Sequence, residues 1–123
     1  MRRIASSLLV LSLAACASSN MRALHVSVEQ LDACVEARQL KSAAVESASR
    51  EGSGLLVSVL DRVPCNMHAV KPSVKIDGGA VEVSWKWVFV PPNEAMKCLC
   101  GRRLLFRVDG APEGELSVTA IAR

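Results

Sequence analysis

The chain has 123 residues, half of them hydrophobic, with 15 Lys and Arg against 12 Asp and Glu, a net charge of +3 and five cysteines. That length is enough for one hydrophobic core and argues against a second domain. Near-balanced charge and only 3% aromatic residues speak against nucleic-acid binding, which needs a broad basic field with exposed stacking rings.

Arg2 and Arg3 form a basic start, Ile4 to Leu13 an apolar run interrupted by Ser6, Ser7 and Ser12, and small residues lead into Cys16. The run is about half of the roughly twenty apolar residues that a spanning helix requires, so it reads as a leader rather than a transmembrane anchor. Leu13-Ala14-Ala15-Cys16 resembles a bacterial lipobox. The resemblance implies cleavage before Cys16, a thioether-linked diacylglycerol on its sulfur, and acylation, such as palmitate, of the new amino terminus. Proteins of this kind stay in the inner membrane when aspartate follows the cysteine. Ala17 stands there, which implies a lipid-anchored protein on the periplasmic face of the outer membrane. An ordinary cleaved secretory signal with a coincidental cysteine is the simpler alternative. The expected organisation is a signal peptide over 1–15, a lipidated cysteine and polar tether over 16–23, and one domain over 24–123. Loss of Arg2 and Arg3 brings the net charge to about +1.

In the domain, Leu24, Val26 and Val28 alternate with polar residues as a first strand. Leu31, Cys34 and Val35 then shift to helix-like spacing, with Ser27 and Gln30 placed as a capping box, so residues 29–50 are read either as a helix or as two strands with a surface loop. Gly52-Ser53-Gly54 ends that stretch and Leu55 to Leu60 forms an apolar strand stopped by Pro64. Val81, Val83, Trp85, Trp87 and Phe89 occupy every second position, a bulky buried face, and Asp77-Gly78-Gly79 turns Val74–Ile76 into Ala80–Val90 as a hairpin. After Pro91-Pro92-Asn93, strands are expected around Leu104, Phe106 and Val108 and around Leu116, Val118 and Ala120, joined by the turn Gly110–Gly114. Short strands separated by Gly and Pro turns predict a mainly β fold, a small antiparallel sandwich or open barrel, with one possible helix near 29–50.

With Cys16 carrying lipid, Cys34, Cys65, Cys98 and Cys100 form an even set, which in an oxidising compartment predicts two disulfides. A bridge between Cys98 and Cys100 would close a small strained ring, so each is expected to reach a distant partner, in either of two arrangements. Each such bridge is worth about 3–4 kcal/mol on the chain-entropy view.

Reactive or ligating side chains gather at Cys65-Asn66-Met67-His68 and at Met96-Lys97-Cys98-Leu99-Cys100. Cys65, His68, Met96, Cys98 and Cys100 could in principle hold a soft ion such as copper(I), since thiolate, thioether and imidazole suit it. Disulfide formation with the methionines as apolar filler is the favoured reading, and no cofactor is expected. Thiol redox catalysis would need a Cys-x-x-Cys at a helix start, and Cys98-Leu99-Cys100 leads into a strand. His25 and His68 lie in no hydrolase motif, Glu94 and Asp109 read as turn carboxylates, and Gly78-Gly79 is too short to cradle a phosphate. Arg102, Arg103 and Arg107 read as a solvated strand face.

Cys65-Asn66, the alternating strand from Val81 to Phe89, Cys98-Leu99-Cys100-Gly101 and Leu104 to Val108 follow one another in an order that resembles a family of small, functionally uncharacterised bacterial lipoproteins. They share a lipobox and a C-terminal Cys-x-Cys β domain. The resemblance implies a sulfur-stapled β domain and carries over no activity. The expected function is that of a non-enzymatic interaction module of the cell envelope, partnered by the membrane through its lipid and by an envelope protein. Two other expectations stand beside it. One is a periplasmic copper-binding protein; the other is an inhibitor or immunity protein that inserts Pro91–Lys97 as a wedge into an envelope hydrolase.

Overall fold

Period-two runs of valine, leucine and aromatic residues fold as the inner faces of two stacked sheets in the computed structural model, which describes residues 24–92, 94 and 96–123. The expected leader and tether, and Asn93 and Ala95 of the 91–97 loop, lie outside the described residues. The strands are β1 (His25–Val35), β2 (Ala44–Glu51), β3 (Gly54–Pro64), β4 (Met67–Asp77), β5 (Ala80–Phe89), β6 (Leu99–Asp109) and β7 (Ser117–Ala122). One sheet has the order β1-β6-β3-β2, the other β4-β5-β7. This is a small mainly β sandwich.

The core lies where three strands turn their alternate side chains inward. Val57 and Val59 of β3, Leu104, Phe106 and Val108 of β6, and Val81, Val83 and Trp85 of β5 are all buried. Trp85 meets Phe106 with ring centres 5.4 Å apart and Trp87 edge-on at 6.1 Å. Each such side chain contributes roughly 1.5–3 kcal/mol by leaving water, which makes this layer the main source of stability.

The structure decides between the two readings of residues 29–50, taking the strands with a surface loop, and corrects one expectation of strand direction. Residues 29–50 contain no helix: β1 continues to Val35 through a bulge between Gln30 and Cys34, and after a loop over 36–43 β2 follows. Four steps along β1, from Gln30 to Cys34, match two along β6, from Leu104 to Arg102, and the two extra residues interrupt the alternation where the helix-like spacing of Leu31, Cys34 and Val35 falls. The sandwich is also not wholly antiparallel. β7 runs parallel to β5, Ala80 facing Ser117 through Trp85 facing Ala122, because the chain leaves β6 in one sheet and re-enters in the other.

Two tight hairpins define one end. Gly52 (φ 60°) in the β2–β3 turn and Gly78 (φ 59°) in the β4–β5 turn take the left-handed conformation at the first turn position, where a Cβ would be strained. His25 enters here, opposite Asp109, so this is the entry end. The 36–43 loop, the Cys65-Asn66 corner and the chain between β5 and β6 lie at the other end, about 35 Å away along eleven-residue strands.

Candidate functional site: the stapled end

All four cysteines of the domain collect at the end opposite the entry. Cys34 is bonded to Cys100, joining β1 to β6 across a sequence separation of 66; Cys65 is bonded to Cys98, joining the β3–β4 corner to the residue before β6, across 33. Their Cα atoms are 5.3 and 5.6 Å apart, inside the ordinary range for a bridge. This is one of the two distant-partner arrangements left open by spacing. The sulfurs of Cys65, Cys98 and Cys100 are thereby occupied and offer no thiolate to copper. His68 stands exposed on the outer face of β4, opposite Val88, and Met96 is exposed on the loop. Among the described residues no group of three His, Cys, Asp or Glu side chains is placed to hold a metal ion.

Asn66 organises the loop. Its side chain is buried, its Nδ2 donates to the carbonyl of Glu94, and its Oδ1 accepts from the amide of Met96 at 3.1 Å. Its own carbonyl accepts from the amide of Val90 at 2.9 Å, and the neighbouring Cys65 amide donates to the Cys98 carbonyl at 3.0 Å. One corner residue and one disulfide thus hold both legs and the middle of the loop.

Three inward-facing positions at this end are polar, beside the buried Val63 and Cys100, and each hydrogen-bonds across to another segment. Gln30 on β1 donates from Nε2 to the Met67 carbonyl at 3.0 Å and accepts from the Ala69 amide at 2.8 Å, so its amide pairs with the outer edge of β4 as a strand would. It caps no helix. Asp61 on β3 accepts from the Trp87 indole N–H at 2.8 Å across the sheets. Arg102 forks between the carbonyls of Asp32, at 2.7 Å, and Cys65, at 2.8 Å. The expected solvated face therefore holds for two of the three arginines. Arg103 pairs with Glu46 through two hydrogen bonds of 2.6 and 2.9 Å, and Arg107 meets Glu51 at 3.1 Å, but Arg102 has the opposite parity and turns inward.

Burial raises the Asp61 carboxyl above its ordinary value, opposed by the Trp87 hydrogen bond and the Arg62 amide. The Arg103 hydrogen bond lowers the Glu46 carboxyl despite some desolvation. His25 and His68 lie at opposite ends of the sandwich, and Glu94 and Asp109 are exposed at opposite ends as well.

Exposed apolar side chains fall close together in sequence around this framework. Six large hydrophobic residues are exposed among the described residues, and four of them, Val88 (39%), Val90 (49%), Met96 (53%) and Leu99 (51%), fall within twelve positions here. Beside Leu99, a cleft of about 350 Å³ is lined by Val35, the Cys34 bridge, Arg38 and Arg62. The strand pair beneath it is close: a Cβ at Gly101 would run into the Val35 carbonyl and lie 2.9 Å from the Ala37 Cβ. Asn66, Gln30, Asp61 and Arg102 were not singled out for these roles by sequence reasoning. Comparison of the chain with protein-family models, with curated proteins and with solved structures finds no match.

Proposed function

We propose that the chain is a cell-envelope lipoprotein anchored through Cys16 and that its β domain is a non-enzymatic binding module for an envelope protein, engaged through the surface from Val88 to Leu99. The observation that carries this reading is that four of the six exposed large hydrophobic side chains lie on or beside the segment that Asn66 and the Cys65–Cys98 bridge fix in place. Exposed apolar side chains gain when a partner covers them, and a loop already held in shape loses little conformational entropy on binding. Two disulfides support an oxidising compartment, and with it the leader and lipobox reading of the first sixteen residues. The pinned loop also favours a narrower version of the same function, a wedge that blocks the cleft of an envelope hydrolase.

Photo-crosslinking in cells tests the binding surface. A crosslinker at Met96 is expected to capture a defined protein partner that a crosslinker at Ser49, on the outer face of β2, does not. Capture that is equal from the two positions would refute the assignment. Palmitate labelling and membrane fractionation test the anchor: Cys16→Ser is expected to abolish both, and unchanged fractionation would overturn it.

A further inference from the structure

Charge is sorted along the long axis of the sandwich. At the entry end stand the carboxylates of Glu51, Asp77, Asp109, Glu113 and Glu115. Arg50, Lys75 and Arg107 are the basic residues among them; Arg50 is held by the carbonyls of Pro112 and Gly114, Arg107 by Glu51, and Lys75 stands opposite Glu82. The stapled half is the reverse, with Arg38, Lys41, Arg62, Lys71, Lys86 and Lys97 exposed. The exposed carboxylates there are Asp32, Glu36, Glu46 and Glu94; Glu36 is occupied by Arg38 at 3.3 Å and Glu46 by Arg103 at 2.6 Å. Lys97 is the chain neighbour of Met96, Arg62 lines one cleft with Leu99 and Arg38, and Lys86 lies two residues before Val88 on the same face of β5.

We infer that the stapled end takes an acidic, apolar segment of a protein partner: carboxylates pair with Arg62, Arg38 and Lys97 while apolar side chains cover Leu99, Met96 and Val90. Charge complementarity selects the sign of the partner, since a basic segment would meet Arg38, Arg62 and Lys97 beside Leu99 and Met96. The inference deepens the binding reading above and rests on it. An anionic bilayer has the same sign, but the geometry disfavours it. Under acylation of Cys16, the eight residues 17–24 reach at most about 28 Å when fully extended, less than the roughly 35 Å between the two ends. The stapled end therefore cannot turn end-on to the membrane that holds its own lipid.

The test uses the full chain in neutral detergent micelles and a dye-labelled peptide in which Glu and Leu are separated by Ser, followed by fluorescence anisotropy. Binding is expected to weaken about tenfold when Arg62→Glu and Lys97→Glu are combined, and several-fold when salt rises from about 50 to about 300 mM. Both residues are exposed, so the fold should survive, and the thermal midpoint of the variant checks that. Glu113→Lys with Glu115→Lys should leave binding unchanged. A peptide with Lys in place of Glu, or Ser in place of Leu, should bind at least about tenfold more weakly. Equal binding of the Lys peptide, or no effect of the charge reversal, would overturn the inference. So would sedimentation of the Cys16→Ser protein with phosphatidylglycerol-containing vesicles in a manner that Arg62→Glu and Lys97→Glu abolish, because the surface would then be lipid-facing. Peptide binding does not need the acyl group. A Cys16→Ser protein that still fractionates with membranes would sink the anchor and the orientation while leaving the peptide result standing.

Discussion

Removing the Cys34–Cys100 bridge should cost more stability than removing Cys65–Cys98, although the second holds the functional loop. On the chain-entropy account a bridge acts by shortening the excursions of the unfolded chain. Sequence separations of 66 and 33 then translate to about 4.4 and about 3.8 kcal/mol at 25 °C. Burial acts in the same direction, because Cys100 is 2% exposed and its truncation leaves a void, whereas Cys98 is at the surface. The paired variants Cys34→Ala/Cys100→Ala and Cys65→Ala/Cys98→Ala can be compared by urea unfolding, with the buried Trp85 as the fluorescence probe. With a urea slope of about 1.5 kcal/mol per molar, the first pair should unfold about 3 M earlier than the intact protein and the second about 2.5 M earlier. Equal midpoints, or a larger loss from the Cys65–Cys98 pair, would refute the loop-entropy reasoning. The stabilisation would then lie in local clamping of the loop.

Asn66→Ala removes a donor to Glu94 and an acceptor for Met96, and should cost about 2 kcal/mol and speed amide exchange at Met96; unchanged exchange there would mean that the side chain does not hold the loop. Gly101→Ala forces a methyl group against the Val35 carbonyl and the Ala37 side chain and should cost about 1–3 kcal/mol in thermal or urea unfolding. Asp61 has a folded-state value raised above 3.8, so its carboxyl is favoured protonated in the folded protein; its stabilising contribution is present below that value and is lost as pH rises through the raised one. Relative to Asp61→Asn, the native protein should therefore gain stability as pH falls from neutral to about 3, and a flat difference between the two would show that burial does not penalise the ionised form.

Strand existence was legible wherever side chains alternate with period two, because one face of each such run must leave water. Val81 to Phe89 and Leu104 to Val108 are the clear cases, and both became inner faces. The 29–50 stretch was ambiguous for a physical reason: two extra residues enter β1 between Gln30 and Cys34 and break the alternation by which a strand is recognised. Parallel pairing of β7 was beyond local pattern, since it depends on which sheet the chain enters after Gly110. The even set of cysteines pointed to two bridges, but their partners are brought together only by long-range structure, the β1–β6 pairing for Cys34 and Cys100 and the β3–β4 corner for Cys65 and Cys98. A signal for the cross-sheet polar residues was present and went unused. Asp61 falls in the inward register of Val57, Val59 and Val63, and Arg102 in that of Leu104 and Phe106, so each had to find a partner inside.

The same register explains why the staples sit where they do. From the entry end to the middle, inward positions are Val26, Val28, Leu55, Val57 and their partners, and apolar burial alone joins the sheets. At the other end those positions become Gln30, Asp61 and Arg102, whose hydrogen bonds each contribute only about 1 kcal/mol net, so packing gives way to directional contacts. A sandwich built this way would fray at that end without a covalent link, and both disulfides fall there. Polar bridges fix geometry more narrowly than apolar contacts do, because an inward amide or guanidinium left without its partner is costly. The end with the weaker core is thus the end with the more exactly fixed backbone. Such an end can leave Val90, Met96 and Leu99 in water while keeping their positions fixed.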